Sequence, residues 1–147
     1  MKLSHLLAGA ALAASLAAAL ASPAMADRLP MDRPITINGI TTVCTGIGED
    51  AQTDPRWKAY PIRVEFSNDA AQYLAGAHVV LKKAGTELLS IDCSGAWVLF
   101  QLPDGKYSVT ASLIDHKDQP PRSASFSPPA SGQKRVVLEF KGVNPNE

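Results

Sequence analysis

Residue types on which many active sites depend are scarce in this 147-residue chain, which has two cysteines and three histidines. His78 and His116, the two histidines beyond the N-terminal region, lack the HxH or HExxH spacing of metal ligands. No Gly-x-Ser-x-Gly elbow occurs, and Gly46-Ile47-Gly48 lacks the third glycine of a phosphate-binding loop. The sequence therefore predicts no enzyme, no metal and no cofactor, although a hydrolytic triad that assembles only in space stays open.

An excess of charge of either sign is missing too. Lysine plus arginine and aspartate plus glutamate each number 14, so the formal net charge is +0. Neutralising nucleic-acid phosphates or attaching to anionic lipid requires a basic excess. We therefore expect neither nucleic acid nor a lipid surface as a partner.

Long hydrophobic runs are absent after the first twenty residues. Before that point, Lys2 precedes an Ala/Leu run from Leu6 to Leu20, and the small-x-small site Ala24-Met25-Ala26 follows. This pattern is typical of a cleaved signal peptide, 1–26, ahead of a single mature domain, 27–147. An uncleaved membrane anchor is the alternative, but the run is short for a bilayer. We expect a periplasmic or extracellular protein with no membrane insertion after cleavage.

The two cysteines, Cys44 and Cys93, stand far apart in the sequence. Export would place them in an oxidising compartment, so we predict one disulfide that closes a loop of about fifty residues. A redox-active pair usually has the Cys-x-x-Cys spacing, which these two residues lack.

Short runs with alternating apolar residues, separated by glycine and proline, predict β-strands along the whole mature chain. The predicted strands cover 35–43, 62–66, 77–83, 87–92, 97–102, 106–113, 123–127 and 135–140. Pro103-Asp104-Gly105 predicts a tight hairpin between two of them. About seven short strands with frequent turns are typical of two antiparallel sheets packed as an all-β, Ig-like or transthyretin-like sandwich.

Three stretches carry a resemblance to a known family: Gly76 to Leu81, Ser94 to Leu99 and Leu102 to Val109. Over 74–140 the chain resembles the carboxypeptidase regulatory-like family, a transthyretin-like seven-stranded sandwich found beside or apart from enzyme domains. The resemblance implies a sandwich fold and an accessory role. The hydroxyisourate hydrolases of the broader transthyretin-like group end in Tyr-Arg-Gly-Ser, a tail that this chain does not have.

Residues 44–60 form an insertion-like segment that does not fit the family pattern, and its part 46–60 holds the residues that we predict to bind a partner. Carboxylates, an arginine and two aromatic residues occur close together there, a mixture that recognition surfaces favour. The predicted binding residues are Glu49, Asp50, Asp54, Arg56, Trp57 and Tyr60. Two alternatives stay open: Trp57 and Tyr60 plug the end of the sandwich, or Glu49, Asp50 and Asp54 bind calcium without the spacing of an EF-hand.

These observations favour a secreted, non-catalytic β-sandwich module that recognises a protein or an envelope glycan through its loops. The alternative is a small periplasmic hydrolase or metal-dependent enzyme of the transthyretin-like group. The absence of a sequential catalytic motif beside an interaction-type loop favours the binding module.

Overall fold

The computed structural model describes residues 26–146, so the predicted signal peptide lies outside the described residues except for Ala26 and stays a prediction. Ten strands and two short helices make up the described chain. The strands are β1 Asp27–Arg28, β2 Ile35–Ile37, β3 Ile40–Thr45, β4 Ile62–Ser67, β5 Ala77–Lys83, β6 Thr86–Cys93, β7 Trp97–Phe100, β8 Tyr107–Leu113, β9 Arg122–Phe126 and β10 Lys134–Glu139. The helices are α1, Glu49–Gln52, and a 3-10 helix, Pro55–Ala59. No helix within 26–146 is long and apolar enough to cross a membrane.

The strands form two five-stranded sheets, which confirms the predicted all-β sandwich. Sheet 1 has the order β1-β6-β5-β8-β9, and sheet 2 has the order β10-β4-β7-β3-β2. The prediction of purely antiparallel sheets is wrong at two edges, because β1 pairs with β6 and β10 pairs with β4 in parallel. Both parallel strands join their sheets through long connections, which parallel pairing requires.

The predicted strand 35–43 is two strands that form a hairpin. Asn38 and Gly39 have φ values of 53° and 78°, the positive values that a two-residue type I′ turn needs. Ile37 then pairs with Ile40, and the two strands run antiparallel. The strand count therefore exceeds seven partly because an Asn-Gly turn divides one predicted strand.

The hairpin predicted at Pro103-Asp104-Gly105 is wrong. The turn connects β7 of sheet 2 to β8 of sheet 1, because β7 is already paired with β3 on one edge and with β4 on the other. The turn is closed locally by the Tyr107 hydroxyl, which donates to the Pro103 carbonyl at 2.8 Å. The chain thus crosses between the sheets here instead of folding back within one.

The main core lies between the sheets and follows from period-two alternation. Ile62, Val64 and Phe66 of β4 are fully buried, as the sequence predicts, and they face Val79 and Val109 among other residues of sheet 1. Cys44 of β3 and Cys93 of β6 are bonded within this core, with their Cα atoms 5.5 Å apart. The predicted disulfide is confirmed, and it joins sheet 2 to sheet 1.

We expect the double substitution Cys44→Ser/Cys93→Ser to lower the free energy of unfolding by about 2 to 4 kcal/mol, because it frees a loop of about fifty residues in the unfolded chain. Urea denaturation of the two proteins measures this. Hydrogen exchange should show a larger loss of protection in 45–60, which follows Cys44 directly, than at 103–106. Two free thiols in the native exported protein would contradict the prediction.

Candidate functional site

The site is built on the outer face of sheet 2, which points away from the main core. Because Val98 and Phe100 of β7 face the core, Trp97 and Leu99 point outward. Register places Trp97 between Thr45 and Glu65 on the two neighbouring strands. All four residues of β7 are buried, so this outer face is covered by other parts of the chain.

The segment 46–60 covers one half of that face. Trp57 and Tyr60 form a second hydrophobic cluster with Val43 and Leu99, and their ring centroids are 6.1 Å apart. The side chain of Gln133 donates to the backbone carbonyls of Trp57 and Tyr60 and so ties the segment to the chain before β10. Trp57 and Tyr60 are therefore buried, and they lie on the face of sheet 2 rather than at the end of the sandwich.

Gly46 lets the segment cross Trp97 closely. Its φ is +96°, and a Cβ atom there would lie 2.6 Å from Cγ of Trp97. A residue with a side chain would have to move either the ring or the segment, so glycine is required by both its conformation and its contact.

Of the four charged residues predicted to bind, Asp54 and Arg56 pair with each other, whereas Glu49 and Asp50 lie in α1. Asp54 accepts a hydrogen bond from the Arg56 backbone N–H at 2.9 Å, and its carboxylate is 2.8 Å from the Arg56 guanidinium. Hydrogen bonding to Arg56 holds the pKa of Asp54 below its ordinary value. The Arg56 guanidinium also lies 4.5 Å from the ring centroid of Trp57. Glu49 and Asp50 are exposed in the first turn of α1.

The calcium alternative gains no support from this geometry. Across 26–146, no group of three or more histidine, cysteine, aspartate or glutamate side chains converges to hold a metal ion. Asp54, one of the three carboxylates in question, is engaged by Arg56.

The other half of the outer face carries a buried carboxylate that sequence reasoning missed. Glu65 has 0 % exposure, although its alternation with Val64 and Phe66 indicates only that it points away from the main core. The Tyr73 hydroxyl donates to Glu65 Oε1 at 2.6 Å, and Arg135 donates to both carboxylate oxygens. A buried carboxylate is costly unless such partners satisfy it. Glu65 therefore fixes Tyr73 and Arg135 in place.

Arg63 and the aromatic rings complete this group. The Arg63 guanidinium lies 4.2 Å from the ring centroid of Trp97, and Tyr73 meets Trp97 edge-on at 5.7 Å. Arg63 Nε is 3.8 Å from Glu65 Oε2, which is an ion-pair distance but beyond hydrogen-bond distance, so the guanidinium is placed between the carboxylate and the face of Trp97. We call Arg63, Glu65, Tyr73, Trp97 and Arg135 the arginine–aromatic cluster.

The chemistry of the cluster follows from the hydrogen bonds to Glu65. Burial, followed by the hydrogen bond to Glu65, raises the pKa of Tyr73. The hydrogen bond to Glu65 likewise raises the pKa of Arg135. Arg135 and Tyr73 engage both oxygens of the Glu65 carboxylate, so this buried group is not what the cluster exposes. The cluster instead presents a positive charge and an aromatic hydroxyl beside a hollow of 110 Å³.

A second polar group lies around His78 on the outer face of sheet 1. Register places Asp92 of β6 opposite His78 of β5. His78 Nδ1 is 2.8 Å from Asp92 Oδ1, and His78 Nε2 is 3.3 Å from Ser90 Oγ. Of the row Ser90–His78–Asp92, His78 and Asp92 line a cleft of 400 Å³, together with Ser112 and Ile114 among others. Sequence reasoning missed this row because the pairing of β5 with β6 brings it together.

We expect Arg135→Ala to lower the free energy of unfolding by about 2 kcal/mol, less than the full cost of breaking a buried pair because 56 % of the Arg135 side chain is exposed. Urea denaturation at neutral pH measures this. The matched control is Arg56→Ala, since the Arg56 side chain is similarly exposed, at 59 %, but pairs with a carboxylate that is not buried. Little change is expected there. Equal losses in the two variants would contradict the role given to Glu65.

The comparisons with known proteins add no family to this geometry. No protein-family model matches the chain, and no curated protein matches it. The resemblance to the carboxypeptidase regulatory-like family over 74–140 therefore stays a prediction.

Proposed function

We propose that this protein is a secreted, non-catalytic β-sandwich module that binds a protein or an envelope glycan with the outer surface of sheet 2, including the segment 46–60. The arginine–aromatic cluster is the observation that carries the proposal. Arginine and the aromatic residues are the types most enriched where binding energy concentrates.

Exposed apolar side chains beside the cluster support the same surface. Val137 of β10 is exposed opposite Glu65 in register, and Ile47 is exposed directly after Gly46, which crosses Trp97. Arg56 is exposed over Trp57 in the covering segment. Apolar and arginine side chains on one rigid face suit a partner that buries both kinds of group.

The fixed positions of the side chains in the arginine–aromatic cluster support a binding function. Tyr73 and Arg135 are already held by Glu65, so a partner would not have to order them. Less conformational entropy is then lost on association. A fixed array of this kind fits recognition better than acid–base chemistry.

Export is part of the proposal and is supported by the covalent link between the sheets. Disulfides form and persist in oxidising compartments, so the Cys44–Cys93 bond is compatible with a periplasmic or extracellular location. The predicted signal peptide, 1–26, and the accessory role implied by the family resemblance agree with this location.

The test is retention of partners from an envelope extract by immobilised mature protein, 27–147, with protein and carbohydrate analysed separately. We expect Ile47→Glu and Val137→Glu each to reduce retention about tenfold, because each places a charge in an apolar contact. Ile114→Glu is the matched control, since Ile114 is also exposed but belongs to the cleft beside His78 on sheet 1. Trp57→Ala is less suitable because Trp57 is buried.

Equal retention by all three glutamate variants would overturn the choice of surface. Retention of nothing by the wild-type protein, together with turnover of esters, would overturn the binding function itself.

A small hydrolase is the second candidate, and the row Ser90–His78–Asp92 favours it. With Nδ1–H donated to Asp92, His78 Nε2 is free to accept the Ser90 hydroxyl proton while Oγ attacks an acyl carbon. We place it second because the side chains of His78 and Asp92 are 38 % and 30 % exposed, and water weakens an ion pair between them.

We expect the mature protein to remain unlabelled by a fluorophosphonate probe, which reacts with activated serines. Intact mass spectrometry measures the labelling. The hydrolase would replace the binding module if Ser90 were labelled, if Ser90→Ala and His78→Ala abolished the label, and if Ser112→Ala kept it. Ser112 is the control because it lines the same cleft opposite His78 without a hydrogen bond to its ring.

A further inference from the structure

A cavity of 510 Å³ opens at the end of the sandwich where β5 ends and β8 begins. This volume lies within the range of small-molecule sites. Lys106 and Lys134 line it together with three serines, Ser108, Ser125 and Ser127. Neither Glu65 nor His78 lines the cavity. Its polar lining therefore consists of ammonium and hydroxyl groups.

The positive charge at this end is not neutralised by ion pairs. Throughout 26–146, every ion pair uses an arginine or His78, and none uses a lysine. Lys83 adds a third ammonium group nearby, with its Nζ 5.4 Å from the ring centroid of Tyr107. The neighbouring carboxylates are Asp104 in the adjoining turn and Glu87 opposite Lys82, and neither lines the cavity. An anionic group would thus meet uncompensated lysines.

The floor of the cavity is rigid and partly aromatic. The rings of Tyr107 and Phe126 stack with centroids 5.8 Å apart and an interplanar angle of 19°, and both residues, though buried, line the cavity. The Tyr107 hydroxyl is held by the Pro103 carbonyl. Serine hydroxyls suit the hydroxyls of a sugar, and ammonium groups suit a carboxylate.

We propose that this end cavity binds an acidic saccharide, a short sugar chain that carries carboxylate groups. Lys106 and Lys134 pair with the carboxylates, and the three serines exchange hydrogen bonds with sugar hydroxyls. No residue of the arginine–aromatic cluster lines the cavity, so the proposal does not depend on the function proposed for the surface of sheet 2.

The test is calorimetric titration of the mature protein with a galacturonic acid trisaccharide, with maltotriose as the neutral counterpart. The double variant Lys106→Glu/Lys134→Glu should weaken binding of the acidic trisaccharide at least about tenfold. The matched control is Lys117→Glu/Lys141→Glu, which makes the same change in net charge at exposed lysines outside both the cavity and the segment 46–60. Its affinity should stay within about twofold of the wild type, and wild-type binding should weaken as salt increases.

The outcomes separate the proposal from its competitors. Absence of binding by the wild-type protein, equal weakening in both double variants, or equal affinity for maltotriose would each overturn it. Displacement of the trisaccharide by inorganic phosphate at an equal concentration would identify a simple anion site and would also overturn it. Equal urea midpoints for the two double variants ensure that a difference in binding is not a difference in folding.

Discussion

The central constraint in this structure is that the middle strand of sheet 2, β7, is buried on both faces. Every residue of β7 is buried, so one side meets the main core and the other must be covered by chain outside the sandwich. The segment 46–60 supplies that cover with Trp57 and Tyr60, and Gly46 provides the close approach. Where this cover ends, the sheet still buries the charged Glu65, which then needs Tyr73 and Arg135 as partners. The arginine–aromatic cluster is thus a consequence of covering the outer face.

The aromatic residues of the segment 46–60 need not contact a partner, because their position is explained by the covering of the outer face of sheet 2. Trp57 and Tyr60 stabilise the cover by burying apolar area, which favours folding by roughly 25 cal/mol per Å². The groups that remain accessible are those at the edge of the cover, such as Arg56, Arg135 and Val137. Recognition through this surface would therefore use the rim of a packed structural element. A rim held by a buried carboxylate keeps its shape when the partner is absent.

The sequence predicts the elements well and their partners poorly. Alternation identifies β4, β5 and β8 almost to the residue, because period-two burial depends only on neighbours in the chain. The turn at Pro103 is a local signal that cannot tell whether the next strand joins the same sheet, and pairing on both edges of β7 decides that. The dipeptide Asn38-Gly39 is a hairpin signal in the sequence, and it correctly divides the predicted strand 35–43 into β2 and β3. Burial of Glu65 and the row at His78 depend on strand register, which no local pattern specifies.

The near-neutral chain separates its two kinds of cation according to their chemistry. Three of its arginines contact carboxylates or aromatic faces around sheet 2, where the planar guanidinium forms directed pairs and stacks on rings. Lysines form no ion pair within 26–146, and three of them lie at the far end of the sandwich beside serines. A strongly hydrated ammonium group on a flexible stem gains little from exposed pairing but can move toward a charged ligand. The zero net charge is therefore the sum of unevenly placed groups. Arginines are held by the fold around sheet 2, and lysines without ion pairs lie at one end of the sandwich, where they can meet an anion.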